Sequence, residues 1–208
     1  MRLPRIRFVT IAQHLLAATL VAAGIAAAQA NTLSIEVKDG GGAPLADAVA
    51  YAVPAAGHAA APPGTSAVID QIDREFVPLV SVIQTGTAVR LPNRDNIRHH
   101  VYSFSPPKVF ELKLYSGVPA RPIVFDKPGL VVLGCNIHDS MIAYVMVVDT
   151  PWFARTGPDG LARIDGLPAG EYQLHLWHPR QSADVPSQPL RMNGSVQLSS
   201  RIELRRND

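Results

Sequence analysis

The stretch that says most about the fold is residues 131–145, VVLGCNIHDSMIAYV, in which a short polar loop joins two strand-like runs. The first run ends at Cys135, the only cysteine of the chain, and the second begins just after Met141. Apolar, β-branched runs that stop at polar turn residues are typical of β-strands. The stretch therefore predicts a turn between two strands, with Cys135, His138 and Met141 at the spacing Cys-x-x-His-x-x-Met.

The side chains of this loop favour copper. A soft thiolate, an imidazole and a thioether suit a metal that stays bound both as Cu(I) and as Cu(II). Upstream, His99 and His100 stand at the start of another strand-like run and offer a second imidazole. Two histidines, one cysteine and a weakly bound axial methionine make up a blue-copper site. We therefore predict one type 1 copper ion.

Other interpretations of Cys135 explain fewer of these residues. A zinc site would use Cys135 and both histidines but has no use for a thioether, and Asp139 is the obvious carboxylate near the loop. Attachment of c-type haem is excluded, because it needs a second cysteine. A nucleophilic pair of Cys135 and His99 stays open, although a strand-to-strand loop has no helix N-terminus that would activate the thiol. A second, surface metal site at His175 and His178 is the alternative to two ordinary strand-end histidines.

The first thirty residues predict a signal peptide. A positive start, an apolar stretch over residues 8–28 and the small-residue site Ala28-Gln29-Ala30 follow one another, as in secretory leaders. The positive start contains three arginines: Arg2, Arg5 and Arg7. An uncleaved membrane anchor is the alternative, but the stretch ends in small residues and strand-like sequence follows at once. We therefore expect export to the periplasm, with no stable membrane insertion after signal cleavage.

The charge balance argues against a nucleic-acid partner. The chain has 19 basic and 17 acidic residues, and cleavage of the leader removes three of the basic ones, which leaves 16. No run of lysine or arginine remains of the kind that a nucleic-acid surface needs. A single cysteine forms no internal disulfide, so in an oxidising compartment it has to be buried, paired with another chain or held by a metal. We expect a monomer whose partner is a redox protein.

The mature chain predicts an all-β fold that is interrupted twice. Apolar and β-branched runs recur between turn residues, and no long amphipathic helix follows the leader. Residues 54–66 are almost wholly Ala, Pro, Gly and Ser, which indicates a linker, and a second break follows where a strand meets Pro151. The two breaks isolate a block, residues 67–149. The predicted strands cover residues 33–37, 48–53, 77–83, 88–91, 99–104, 123–125, 131–135, 143–148, 161–164, 172–177 and 195–204.

The block at residues 67–149 resembles the cupredoxins, and its ligand loop is similar to the short loop of the amicyanin-like members. The resemblance implies a Greek-key β-sandwich in which Cys135 is the equatorial thiolate, His138 is an imidazole ligand and Met141 is the axial ligand. The likeness extends to exported cupredoxin-domain proteins labelled methylamine utilization proteins. The residues that carry this second likeness are 99–104, 134–139 and 177–179.

The first imidazole ligand is a choice between His99 and His100. Neighbouring strand residues point to opposite faces, so the two are not expected to bind one ion together. Amicyanin-like proteins place an Asn six residues before the ligand histidine, and Asn93 stands six residues before His99. The residue after that ligand is commonly Asn, where this chain has His100. The resemblance thus implies His99 as the first imidazole ligand, with His100 as the alternative. The complete predicted ligand set is His99, Cys135, His138 and Met141.

The flanks of the block resemble the two parts of one carboxypeptidase-regulatory, transthyretin-like β-sandwich. Residues 31–53, with the turn Asp39-Gly40-Gly41-Gly42, are similar to its opening strands, and residues 150–208 are similar to its later strands. Each flank alone has too few strands for a stable sandwich. We therefore predict that the block is inserted into a second small sandwich. Two independent β extensions that pack on the block are the alternative.

These expectations together describe an electron carrier rather than an enzyme. The resemblance implies that a rigid β-sandwich holds the metal and passes single electrons between redox partners in the periplasm. A copper-binding or copper-delivery protein without an electron-carrier role would use the same residues. A third interpretation is an enzyme or adhesion module in which the flanking strands bind a ligand and the copper is incidental.

Overall fold

The computed structural model of the protein describes residues 31–57 and 65–206. The predicted signal peptide, residues 1–30, and the centre of the predicted linker, residues 58–64, lie outside the described residues. Within the described part, no helix is long and apolar enough to cross a membrane.

The regular secondary structure of the described residues is β-strand throughout, which confirms the predicted all-β class. Residues 31–57 and 65–206 contain 17 strands, most of them short and bounded by Gly, Pro, Asn or Asp. The strands are β1 (Thr32–Asp39), β2 (Val49–Pro54), β3 (Ser66–Val68), β4 (Asp70–Ile72), β5 (Glu75–Val77), β6 (Val80–Gln84), β7 (Thr87–Arg90), β8 (His99–Ser103), β9 (Phe110–Tyr115), β10 (Ile123–Phe125), β11 (Gly129–Cys135), β12 (Ile142–Val148), β13 (Phe153–Arg155), β14 (Leu161–Asp165), β15 (Gly170–Trp177), β16 (Gln188–Met192) and β17 (Val196–Ile202).

A five-stranded sheet in the order β6-β12-β11-β8-β9 carries the Cys-x-x-His-x-x-Met loop. Strand β11 pairs antiparallel with β12 and with β8, and β12 pairs parallel with β6. Side chains alternate along β11, so Val131, Leu133 and Cys135 are buried in the core while the residues between them point to the opposite face. The strand therefore ends with Cys135 fixed on the core side.

A three-stranded sheet, in the order β10-β7-β3, covers this core from the other side. Phe125 of β10 is fully buried and meets the ring of Phe110 edge to face, at a centroid distance of 6.3 Å. The two sheets together form the predicted β-sandwich. Its buried core consists of Ile69, Phe76, Ile83, Val89, Leu91, Val101, Phe125, Val131, Leu133, Cys135, Met141, Ala143, Val145 and Val147.

Strands from both sides of the central block form two further sheets, β14-β1-β17 and β13-β2-β15-β16. Strand β1 lies between β14, with which it is antiparallel, and β17, with which it is parallel. The buried core of these sheets contains Leu33, Ile35, Val37, Leu45, Ala48, Ala50, Ala52, Ala162, Ile164, Leu167, Tyr172, Leu174, Leu176, Leu190, Met192 and Ile202. Residues that precede and follow the central block thus share one core. The predicted domain boundaries, at residues 31–53, 54–66, 67–149 and 150–208, remain predictions.

A smaller cluster joins the five-stranded sheet to the four-stranded sheet. Its buried members are Val49 of β2, Val80 of β6, and Met146 and Val148 of β12. The rings of Tyr144 and Trp177 pack beside it at a centroid distance of 5.8 Å. The face of β12 that points away from the core around Cys135 is therefore covered by protein as well.

Gly160 is expected to tolerate no side chain, because it packs against backbone from the other flank of the chain. Its φ is +72°, and a Cβ at this position would lie 2.6 Å from the carbonyl oxygen of Val37. Gly166 has a similar φ of +74° but open space around it. The left-handed conformation alone costs an L-residue about 1–2 kcal/mol, so we expect Gly166→Ala to lose about that much unfolding free energy and Gly160→Ala to lose more. Denaturant unfolding measures both, and equal losses would show that the packing against Val37 is not tight.

Candidate metal centre

Three side chains with metal-binding atoms come together at one end of the five-stranded sheet. His99 opens β8, Cys135 closes β11, and His138 lies in the loop that follows. Because β8 and β11 are antiparallel neighbours, with Cys135 opposite Val101, the start of one strand meets the end of the other. The ligand atoms of His99, Cys135 and His138 all lie within 4.8 Å of one another. The structure thus brings together three of the four residues predicted from the sequence.

The cluster has the dimensions of a metal centre. The sulfur of Cys135 lies 3.7 Å from Nδ1 of His99 and 3.9 Å from Nδ1 of His138. Bonds of about 2.0 Å to nitrogen and about 2.3 Å to sulfur, at tetrahedral or trigonal angles, would separate those two atoms by roughly 3.5 to 3.7 Å. The donor set is one thiolate and two imidazoles. These residues therefore fit a small transition-metal ion.

The loop between β11 and β12 is held at both ends by backbone hydrogen bonds. The amide of Asn136 donates to the carbonyl of His100 at 3.0 Å, and the amide of Met141 donates to the carbonyl of His138 at 3.0 Å. The ring of His138 stands edge-on to that of His99, with centroids 5.1 Å apart. His138 is only half-buried, whereas His99 and Cys135 are almost fully enclosed. His138 is thus the member of the cluster that reaches the surface.

Met141, the predicted axial ligand, lies at the end of the loop and is 1% exposed. Its side chain belongs to the same buried core as Cys135. Both residues line a cavity of about 390 Å³ whose other walls include Tyr102, Phe104 and Ile142. Met141 is therefore a buried residue at the end of the loop that carries Cys135 and His138.

His99 is oriented by Asp95, a residue that the sequence did not single out. The Nε2 atom of His99 lies 2.8 Å from Oδ2 of Asp95, so Nδ1 is the ring nitrogen that faces the sulfur. Asp95 accepts two further hydrogen bonds, from the backbone amides of Asp73 at 2.7 Å and of Arg74 at 3.0 Å. Its carboxylate thus links the turn between β4 and β5 to the cluster.

The pKa of Asp95 reflects these contacts. Burial favours the neutral acid and would raise the pKa. The hydrogen bonds from His99 and from the amides of Arg74 and Asp73 outweigh burial and hold the pKa of the carboxyl below its usual value. Asp95 is therefore a carboxylate at neutral pH.

Asn93 fixes the loop that carries Asp95. Its side-chain amide donates to the carbonyl of Ile97 at 2.8 Å and to that of Tyr115 at 2.9 Å, and its Oδ1 accepts the amide of Asp95 at 2.9 Å. Asn93 is also buried. The sequence indicated Asn93 by its spacing from His99, and the structure supplies the physical reason for an amide at this position.

His100, the alternative first ligand, lies outside the cluster. Its Nε2 atom is 2.8 Å from Oε1 of Glu111 on the neighbouring strand β9. Its ring stands edge-on to that of Tyr102, at a centroid distance of 6.5 Å. Since neighbouring strand residues point to opposite faces, His100 faces away while His99 faces the sulfur.

Gly134, the residue before Cys135, allows a tyrosine to cover the strand. A Cβ at Gly134 would lie 2.9 Å from the ring of Tyr102, which occupies the space that a side chain would need. The ring of Phe104 follows at a centroid distance of 5.0 Å and is 77% exposed. An aromatic pair therefore lies on the outer face of the sheet, directly behind the cysteine.

His175 and His178, the alternative second site, have ordinary structural surroundings. His175 stacks on Tyr51 at a centroid distance of 4.8 Å, and Nδ1 of His178 accepts the amide of Arg180 at 3.2 Å. Burial lowers the pKa of both imidazoles. Across residues 31–57 and 65–206, the cluster of His99, Cys135 and His138 is the one group of three close His, Cys, Asp or Glu ligands.

Asp95 shows which kind of site residue the sequence did not predict. It stands four residues before His99, within residues 93–98, which are mostly polar. An acidic residue in such a stretch is expected to lie in an exposed turn. Its other partners belong to a turn about twenty residues earlier. The available signal was the combination of Asn93 and an acid within one short loop before a predicted ligand.

Comparison with known proteins gives matches among solved structures alone. No family model matches the chain, and no curated protein matches it. The copper-containing nitrite reductase NirK of Thermus scotoductus SA-01 is 26% identical over 46% of this chain, with a TM-score of 0.38. That match spans only a quarter, 25%, of the length of the nitrite reductase chain.

Two smaller proteins match over almost their whole length. A purple cupredoxin of Nitrosopumilus maritimus is 23% identical over 39% of this chain and 99% of its own, with a TM-score of 0.35. Amicyanin of Paracoccus versutus is 16% identical over 47% of this chain and 98% of its own, with a TM-score of 0.34. One of the two is named as a cupredoxin, the family that residues 67–149 resemble, and the other is amicyanin, whose short loop is similar to the ligand loop. The methylamine utilization label remains a prediction.

The fold and the cluster together define the class of protein, which is an all-β protein with a candidate metal site. The chain is an all-β protein whose β-sandwich of sheets β6-β12-β11-β8-β9 and β10-β7-β3 holds a His–Cys–His group suited to a metal ion.

Proposed function

We propose that this protein is a periplasmic electron carrier with one type 1 copper ion, held by His99, Cys135, His138 and Met141. The observation that carries the proposal is the prearranged cluster, in which two imidazole nitrogens lie 3.7 and 3.9 Å from one cysteine sulfur. When bound, copper supplies a one-electron couple between Cu(II) and Cu(I).

The choice of copper rests on the donor set. Two imidazoles, one thiolate and an adjacent thioether form the His₂Cys site with a weak axial Met. Zinc would prefer a fourth hard or thiolate donor, whereas the fourth residue at the end of this loop is Met141. Asp139 of the same loop is exposed, while Met141 is buried in the same core cluster as Cys135.

The choice of an electron carrier rests on burial. His99 is 0% exposed, Cys135 is 2% exposed and Met141 is 1% exposed. Side chains enclosed in a close-packed β-sandwich move little, so the ligand set can keep its arrangement in both oxidation states. A copper-delivery protein has to exchange ligands with its client, and exposed ligands serve that purpose better. The half-buried His138 gives electrons a short route to the surface.

The location and the flanking strands complete the proposal. The predicted leader of residues 1–30 supports export to the periplasm, where a redox protein would be the partner. We also propose that the two flanks form one discontinuous sandwich around the metal-binding block, because their strands share one hydrophobic core. The flanks would then support the block through the buried cluster that contains Val49, Val80 and Met146.

Titration of the purified protein with Cu(II) tests the proposed metal centre. We expect one equivalent of copper to give an intense visible band, which arises from charge transfer between the thiolate and Cu(II). The EPR spectrum should be that of a type 1 site. Absorption and EPR spectra that show only weak, square-planar Cu(II) would contradict the proposal.

A redox experiment separates the carrier from the copper-delivery alternative. The loaded protein is reduced with ascorbate and reoxidised through several cycles in the presence of a Cu(I) chelator. We expect the visible band to return at full intensity in each cycle, because buried ligands hold both oxidation states. Progressive transfer of copper to the chelator would favour delivery instead.

A further inference from the structure

We propose that Asp95 is a positioning residue that holds the ring of His99 and, through its negative charge, lowers the reduction potential of the metal centre. This inference rests on the proposed function, since it concerns a ligand of the proposed copper site. Asp95 itself touches no metal; it acts through the imidazole.

The carboxylate of Asp95 lies against the ring of His99. Oδ2 of Asp95 lies 2.8 Å from Nε2 of His99, and both side chains are enclosed, with exposures of 11% and 0%. A histidine that presents one nitrogen to a metal and donates its other N–H to a carboxylate is fixed in tautomer and orientation. Asp95 therefore determines that Nδ1 of His99 faces the sulfur of Cys135.

Backbone amides of a hairpin turn anchor the carboxylate of Asp95. Asp73 and Arg74 form the two-residue turn between β4 and β5, with φ values of 54° and 62°. Positive φ at both central residues defines a type I′ turn. Their amides donate to the two oxygens of Asp95 at 2.7 and 3.0 Å. The carboxylate is thus held from both sides, by a hairpin turn and by the ring of His99.

The negative charge of Asp95 acts on the metal through the ring of His99. The nearby guanidinium of Arg94 is engaged by Asp70 at 2.6 Å, whereas Asp95 accepts a hydrogen bond from the neutral ring of His99, so its negative charge is not cancelled there. A negative charge one imidazole away from the metal, on a side chain that is 11% exposed, stabilises the more positive oxidation state, and it makes the imidazole a stronger donor. Both effects favour Cu(II) over Cu(I) and so lower the reduction potential.

The test compares two substitutions of Asp95 in the copper-loaded protein. Asp95→Asn keeps an oxygen acceptor for His99 and removes the charge, while Asp95→Ala removes both. Loss of such an outer partner typically costs about 10–100-fold in metal affinity. We expect Asp95→Asn to lower Cu(II) affinity relative to Cu(I) by about tenfold, which raises the midpoint potential by about 59 mV. Asp95→Ala should show a similar rise and, in addition, altered EPR hyperfine splitting.

Two controls separate this role from general effects. Asp139→Asn removes the same charge from an exposed residue next to His138 and should shift the potential much less, because solvent screens it. The double variant Asp73→Asn, Arg74→Gly leaves the net charge unchanged, gives the turn its favoured Asn-Gly sequence and keeps both amides. It should leave the potential and the EPR spectrum as in the wild type.

The outcomes distinguish the inference from the proposed function. A wild-type protein without a visible copper band would overturn both. A normal band with potentials for Asp95→Asn and Asp95→Ala no higher than that of Asp139→Asn would overturn the role of Asp95 alone. A rise in Asp95→Ala alone would show that the charge makes no contribution, which contradicts the electrostatic part of the inference.

Discussion

Cys135→Ser should abolish the intense visible absorption of the copper-loaded protein. The band needs a thiolate bound to Cu(II), and a serine hydroxyl is a hard donor that stays protonated at neutral pH. Loss of an outer partner of a metal ligand already costs about 10–100-fold in affinity. Since Cys135 is a proposed ligand itself, we expect Cu(II) affinity to fall by more than about 100-fold. Absorption spectroscopy and competition with a chelator measure the two effects.

The control for this variant is Ser140→Ala, which removes a hydroxyl from an exposed position of the same loop. It should bind copper with an unchanged spectrum. Far-UV circular dichroism of the metal-free Cys135→Ser protein should show the β-structure of the wild type, because serine is nearly isosteric with cysteine. A visible band that survives in a folded Cys135→Ser protein would rule out Cys135 as the thiolate ligand.

His99→Ala and His100→Ala should differ sharply in copper binding, although the two residues are adjacent. His99 presents Nδ1 to the sulfur of Cys135 at 3.7 Å, whereas His100 pairs with Glu111 on the outer face of the sheet. We expect His99→Ala to lose more than about 100-fold in Cu(II) affinity, for the same reason as above. His100→Ala should stay close to the wild type. Parallel chelator competition and EPR on both proteins decide between the two histidines.

Each histidine variant is the control for the other, because both remove one imidazole from the same strand. Exogenous imidazole offers a further check, since it can enter the space left by His99→Ala and restore part of the visible band. Equal losses in the two variants would indicate that both act through the stability of β8. A larger loss in His100→Ala would overturn the assignment of His99.

The ligand loop was predictable because the residues that define it are close together in the sequence. The runs before Cys135 and after Met141 are long, apolar and bounded by turn residues, and they correspond to β11 and β12. The choice of His99 over His100 depended on the spacing from Asn93, and the structure places His99 in the cluster. Alternation along the strand then explains why two adjacent histidines have different surroundings.

Several other strands were not predicted, although the three-residue edge strand β10 was. Strands β3, β4 and β5 have three residues each, too few for any periodicity to appear. The single strand predicted over residues 77–83 is wrong, because β5 ends at Val77 and β6 begins at Val80, on either side of Pro78. A proline donates no hydrogen bond to a sheet, so the ladder is interrupted there. Strand β9 at the edge of the five-stranded sheet was missed, although its residues 110–114 alternate between apolar and polar, which is the pattern of a half-buried strand.

Asp95 was not predicted, because two of the three partners of its carboxylate are distant in the sequence. Two of these partners are backbone amides of a turn about twenty residues earlier, and every residue type except proline offers such an amide; the third is His99, four residues later. A two-residue turn with positive φ is usually recognised by Asn-Gly or Asp-Gly, and this chain has Asp73-Arg74 instead. Sequence patterns therefore identified the proposed ligands but not the residue that orients one of them.

The pairing of β1 with β17 has a consequence for the order of folding. The amide of Thr32 bonds to the hydroxyl of Ser195, a separation of 163 residues, so the first strand finds its partner only when nearly the whole chain is available. Contacts so distant in sequence carry a high loop-closure entropy and form slowly. We expect the central block to fold first and so to shorten the distance between its two flanks. The last strands would then close the outer sandwich around a block in which His99, Cys135 and His138 already lie together.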